Sequence, residues 1–194
     1  MTDLLPLLTY SLVMSSTPGP NNIMLTASGA NFGYRRSLPH ILGIAAGHGP
    51  QVFLACMGLG ALFARHPELH AALRIAGAAY LVVLAWQLAG SAIVQREMAR
   101  PLSFRQALAF QAVNPKGWVK AITVATVFMP PGMEVASGAL LVTAISIAIN
   151  LPCVSMWALF GMGIRRALTD ARRRRAFNAI MAASLVALAA TLVF

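Results

Sequence analysis

The sequence predicts an all-α membrane protein: six transmembrane helices arranged as two inverted three-helix repeats, with helices 1 and 4 broken near mid-depth. Three observations predict it. Six apolar stretches are each long enough to cross a bilayer, most charges fall in the gaps between them, and proline-asparagine motifs recur at matching places in the two halves.

Hydrophobic residues make up 58% of the 194-residue chain and charged residues only 10%. An average soluble domain is about a quarter charged. A soluble protein with so few charges lacks the polar groups to cover its surface, whereas lipid faces apolar side chains directly. A hydrocarbon core of about 30 Å needs ~20 apolar residues per helix. The candidate spans are 4–32, 38–63, 71–94, 104–129, 136–162 and 176–194. The sixth is short. The fourth is the least apolar, holding Gln106, Gln111, Asn114, Lys116 and Lys120.

Turn chemistry separates these spans. Gly33 with Tyr34-Arg35-Arg36-Ser37 divides the first two, His66-Pro67-Glu68 the next pair, and Pro130-Pro131-Gly132 and the run Arg172 to Arg175 the later ones. Arg100-Pro101-Leu102-Ser103 splits the chain into repeats 1–100 and 101–194, which together form one integral membrane domain. Residues 1–3 lack the basic n-region of a cleavable signal, so the first apolar stretch is expected to stay in the mature protein.

Lys and Arg total 15 against five acids, a net charge of +10. Position argues against nucleic acid as the partner, because the basic residues cluster in short gaps where they orient a membrane protein. Loops one, three and five hold Arg35, Arg36, Arg96, Arg100, Arg105, Arg165, Arg166 and Arg172 to Arg175, whereas loops two and four hold only Arg65 and Arg74. Odd loops are therefore expected in the cytoplasm and both termini outside. The arginine run is a solvated face that also suits anionic lipid. Cys56 and Cys153 both sit in apolar stretches and read as buried, inert thiols rather than a disulfide framework.

Breaks at corresponding places in two halves are the best sequence pointer to a transporter site. Thr17-Pro18-Gly19-Pro20-Asn21-Asn22 interrupts the first span and Asn114-Pro115-Lys116-Gly117 the fourth. Pro18 lies roughly 21 Å along a helix from Leu4, and Pro115 roughly 16 Å from Phe104, at 1.5 Å per residue. Gly47-His48-Gly49-Pro50 and Asn150-Leu151-Pro152 read as weaker interruptions of spans two and five. Three spans per half is odd, so the second half inserts upside down. Proline removes an N–H and clashes with the carbonyl four residues back. The freed backbone groups are tolerable only against protein or a wet cavity. Each new half-helix, starting near Pro20 or Pro115, aims a positive end at the midplane, which suits a carboxylate.

All five acids lie in loops or at span ends, so Lys116 and Lys120 have no acidic partner within a span. A cation there costs at least about 2.5 kcal/mol. Lys116 sits at the break itself and is expected to meet the substrate carboxylate; the alternative is a structural lysine bonded to the carbonyls of the broken helix. The substrate-binding candidates are Thr17, Pro18, Gly19, Pro20, Asn21 and Asn22 from the first break, with Gln111, Asn114, Pro115 and Lys116 from the second. His48 is the candidate proton-coupling group, and Lys120 and Asn150 are candidates for the pathway. Gly43, Gly47, Gly58, Gly60, Gly161 and Gly163 read as helix-packing positions.

The motifs resemble those of the LysE/RhtB amino-acid exporter family. Thr17-Pro18-Gly19-Pro20-Asn21 resembles its first-span signature, Asn114-Pro115-Lys116 its fourth-span motif and Gly77-Ala78-Ala79-Tyr80-Leu81 its third-span motif. Residues 18–23, 77–82 and 110–116 look most like the branch that exports cysteine and O-acetylserine. The resemblance covers nearly the whole chain. It implies efflux of an amino acid or derivative by alternating access, with a small neutral zwitterion favoured, the homoserine and threonine type included. The basic-amino-acid exporters' membrane acid near the first helices is missing here, which disfavours lysine or arginine. The expected partners are the amino acid, membrane lipid, a proton as coupling ion and further copies in a homo-oligomer, with no cofactor and no metal. The alternatives are a noncatalytic membrane assembly protein or an intramembrane enzyme. The chain has no HExxH, GxSxG or acid pair within a span, and only a pairing such as Ser15 or Ser16 with His48 offers a nucleophile and base.

Overall fold

The computed structural model describes residues 4–59, 62, 65–93, 101–168 and 170–193. Those residues are helical, with turns and no strand. The elements are α1 (Leu5–Ser16), α2 (Pro20–Phe32), α3 (Tyr34–Leu54) running into a π-turn (Ala55–Leu59), α4 (Pro67–Ile93), α5 (Phe104–Val113), α6 (Pro115–Val127), α7 (Val135–Arg165) and α8 (Ala171–Val193).

Both expected breaks are present. α1 ends at Thr17, extended at ψ 145°, and α2 restarts with Pro20 in its first turn. α5 ends at Asn114, extended at ψ 106°, and α6 restarts with Pro115 in its first turn. Proline is at home there because its missing N–H has no helical partner at that position anyway.

The weaker interruptions are not breaks. α3 runs through Pro50 and α7 through Pro152. One proline removes one ladder bond, and close neighbours hold both sides of these helices in line. α3 instead loosens at its π-turn, where Gly58 has φ 110°. Basic residues expected in loops are helical as well: Arg74 lies in α4, Arg105 in the first turn of α5 and Arg165 at the end of α7. Arg35 and Arg36 lie in the first turn of α3, after a single connecting glycine, Gly33, at φ 81°. Arg172 to Arg175 open α8, which starts at Ala171 because the Asp170 carboxylate accepts from Arg172 N–H at 2.9 Å. Arg96 and Arg100, placed in loop three, and Gly60 lie outside the described residues.

α7 begins at Glu134, whose carboxylate accepts from the Ser137 hydroxyl at 2.6 Å and the Ser137 N–H at 3.3 Å. The Ser137 hydroxyl bond holds this carboxyl below its usual range.

The helices exchange partners between the beginning and the end of the chain. α1 and α2 lie along α7, and α5 and α6 lie along α3. Small residues permit the approach. A Cβ on Gly29 would strike the Ala158 carbonyl, one on Gly161 the Thr26 carbonyl, and one on Gly43 the Phe104 carbonyl. Gly163, by contrast, meets nothing within 4 Å. α4 packs on α8 through Leu81, Leu84 and Leu88 against Ala182, Leu185 and Ala189. Changing Gly161 to Val is expected to destabilise the protein by about 1–3 kcal/mol, seen as a lower unfolding midpoint in detergent. The same change at Gly163 is expected to leave the midpoint unaltered.

Leu5, Trp86, Val127, Leu140, Met156 and Ile180 are exposed on the outside of the bundle, as lipid contact requires. Tyr34–Leu59, Ala71–Ala89 and Val135–Arg165 are each long and apolar enough to cross a bilayer. The chain is a membrane protein.

Candidate functional site

The two breaks meet. Lys116, in the first turn of α6, reaches across to the α1–α2 break. Its Nζ donates to the Thr17 carbonyl at 2.9 Å, the Thr17 hydroxyl at 2.8 Å and the Pro18 carbonyl at 3.1 Å. Those three acceptors match the three N–H bonds of an ammonium. Of the two sequence readings of Lys116, this geometry is the one that bonds the carbonyls of a broken helix. Gly19 makes room for it: a Cβ there would sit 2.8 Å from Lys116 Cδ.

The remaining freed carbonyls are stapled from the half-helix that follows. Asn22 Nδ2 donates to the Ser15 carbonyl at 2.9 Å and the Thr17 carbonyl at 2.8 Å. Trp118 Nε1 donates to the Ala112 carbonyl at 2.7 Å. Open backbone is thereby satisfied internally. α4 buttresses the second break. Gly77 lies against the Val113 carbonyl, and Tyr80 stacks on Phe110 with centroids 5.0 Å apart. The 77–81 motif is therefore a packing device for the α5–α6 break.

Gln111 ties the breaks together. Its Oε1 accepts from Asn21 Nδ2 at 2.9 Å and Asn114 Nδ2 at 3.2 Å, and its Nε2 donates to Gln51 Oε1 at 2.8 Å. Gln51 Nε2 closes the ring on the Gln111 carbonyl at 2.8 Å. Gln51 was not foreseen from sequence. The available signal was its place three residues after His48, which puts both on one face of α3.

Between these groups lies a cavity of about 40 Å³. Both half-helix starts line it, through Gly19, Pro20, Asn21 and Asn22 on one side and Gln111, Asn114, Lys116 and Gly117 on the other, with His48, Lys120 and Asn150 also in the wall; Pro115 is not in the lining. Pro18 and Thr17 stand outside this lining, at the Lys116 contact. Lys120 is 4% exposed and, among the described residues, donates to a single acceptor, Ser15 Oγ, at 2.8 Å. Asn150 Nδ2 reaches the same oxygen at 3.4 Å. The side-chain Oδ1 atoms of Asn21, Asn114 and Asn150 and the Nε2 of His48 are buried without a hydrogen-bond partner. Ser15 is a second residue that sequence reasoning did not place in the site. Its hydroxyl is bonded to Lys120 rather than to His48.

A second void of about 420 Å³ opens between α2, α4, α8 and the start of α5, with no charged side chain among the described residues of its lining. His40 is buried in its wall with neither ring nitrogen bonded.

Apolar helices broken around a small polar cavity, with an ammonium and spare amide oxygens in its wall, are the architecture of a membrane carrier. The chain belongs to the LysE type translocator family, which it matches over residues 12–194. It is a translocator and not an enzyme. It is 33% identical to the cysteine/O-acetylserine efflux protein of Escherichia coli (strain K12) over 180 residues, 92% of this chain and 91% of that protein. The protein of the same description from Shigella sonnei (strain Ss046) is similar to the same degree, 33% over 92% of this chain. No solved structure matches the chain significantly.

Proposed function

We propose that this protein exports a small neutral amino acid or derivative, of the cysteine or O-acetylserine type, across the bacterial inner membrane by alternating access. One observation carries the reading: the cavity pairs an ammonium that has one partner, Lys120, with three amide oxygens that have none. A zwitterion complements that set. Its carboxylate bonds Lys120 and faces the positive ends of α2 and α6. Its ammonium bonds the oxygens of Asn21, Asn114 and Asn150. Lys116, Thr17, Pro18 and Gly19 hold the first break in shape, while Pro20, Pro115, Asn22 and Gln111 keep the two half-helix ends facing one space.

The 40 Å³ cavity has room for a few waters, at about 10–15 Å³ each, and not for an amino acid. An amino acid enters only when the breaks separate, so this is a closed state. The partner exchange of α1–α2 with α7 and of α5–α6 with α3 supports two inverted repeats, residues 1–100 and 101–194, that rock against each other. The basic ends of α3 and α8 support a cytoplasmic side at loops one and five, and so termini outside. The 420 Å³ void near the start of α3 is the entry vestibule on that side. His48, in the cavity wall beside Lys120, is the group through which a proton couples.

Proteoliposomes holding the protein are expected to exchange labelled O-acetylserine for external unlabelled O-acetylserine. Exchange no faster than in protein-free vesicles, for this and every other small neutral amino acid, would falsify the reading.

A further inference from the structure

Three hydroxyls, one on α1 and two on α7, stand out by what they lack. Ser11, Thr143 and Ser146 are 0%, 9% and 0% exposed, and none has a hydrogen-bond partner. All three lie in regular helix. A serine or threonine there ordinarily bonds the carbonyl one turn back. Six others among the described residues do so: Thr26 to Asn22, Thr123 to Val119, Thr126 to Ile122, Ser184 to Ile180 and Thr191 to Leu188, each at 2.9 Å, and Ser37 to Gly33 at 3.0 Å. An unbonded buried hydroxyl is unfavourable by comparison with alanine, so packing alone gives no reason for three of them together.

Their register places them in one line. Asn150 reaches Ser15 at 3.4 Å, and Leu7 and Val142 share one apolar cluster. Ser11 lies four residues from both Leu7 and Ser15, and Ser146 four from both Val142 and Asn150. The helices therefore run in parallel, with Ser11 and Ser146 at one level, a turn beyond the central cavity. Thr143 lies beside them: its Cγ2 is 3.9 Å from where a Cβ on Gly49 would stand, next to His48 on α3. One further turn on, Leu7, Val52, Val124 and Val142 form a buried apolar plug, with Tyr10 against Phe128 at 5.2 Å.

We propose that Ser11, Thr143 and Ser146 form the outward half of the translocation path: a hydroxyl seam that hydrogen-bonds the amino acid after it leaves the central cavity, closed in this state by the Leu7–Val142 plug. The proposal rests on the export reading above. It adds an exit side, between α1 and α7, and residues that no functional reading has used. The hydroxyls are unbonded here because their partner is the passing substrate. They accept from its ammonium and donate to its carboxylate.

The test is the triple variant Ser11→Ala, Thr143→Val, Ser146→Ala in proteoliposomes, with Thr143→Ser as the conservative control. The expected result is exchange of O-acetylserine slowed at least ~10-fold. Equilibrium binding at the central cavity stays within about 2-fold of the parent, and the unfolding midpoint is unchanged or higher. Thr143→Ser retains the parent rate. Three results overturn the seam: a parent-like exchange rate in the triple variant, a lowered midpoint, which makes the hydroxyls structural, or binding weakened as much as transport. A parent protein that binds and exchanges no amino acid overturns the export reading itself, and the seam with it.

Discussion

Lys120→Met is expected to weaken amino-acid binding about 10- to 100-fold while leaving the unfolding midpoint unchanged or raised. A hydrogen bond to a charged group contributes about 1.5–3 kcal/mol, which is that range in affinity. Lys120 is buried and holds only Ser15 Oγ in the closed state. An ammonium in apolar surroundings is costly, so removing it relieves the empty protein and harms the occupied one. Equilibrium binding of labelled O-acetylserine and a thermal melt on the same preparation check both halves. Parent-like affinity in the variant removes Lys120 from the site.

Lys116→Met is expected to act the other way: the midpoint falls, by about 2–3 kcal/mol of stability, and transport falls with it. The change leaves the Pro18 carbonyl and the Thr17 hydroxyl without the ammonium that now bridges them to α6. A double-mutant cycle with Thr17→Val isolates the bridge, with an expected coupling of about 0.5–3 kcal/mol. If Lys116→Met keeps the melt and loses affinity, while Lys120→Met does the reverse, the two lysines exchange roles.

That contrast marks where sequence reasoning reached its limit. Lys116 and Lys120 lie one helical turn apart on one half-helix, and both lack an acid within reach along the chain. Nothing in the spacing tells which carries spare hydrogen-bonding capacity. The difference arises because Lys116 stands at the first turn, level with the other break, and Lys120 one turn deeper, against α1. The same blindness applies to Gln51. It is one more amide in an apolar span until α3 is laid along α5. Pro50 and Pro152 erred in the opposite direction. They carry the same local signal as Pro20 and Pro115, yet the helices continue through them.

What the sequence by itself determined is the class: apolar runs with charges at their ends fit only a bilayer, and two proline-asparagine motifs mark where helices stop and restart. Those are local properties, set by backbone hydrogen bonding and transfer to lipid, and they can be read along the chain. Which freed carbonyl meets which donor, which lysine is saturated, and which hydroxyls are left unbonded between α1 and α7 was decided only by tertiary packing. Gln51 meets Gln111 60 residues away, Lys116 meets Thr17 99 away and Lys120 meets Ser15 105 away, and no local rule relates them.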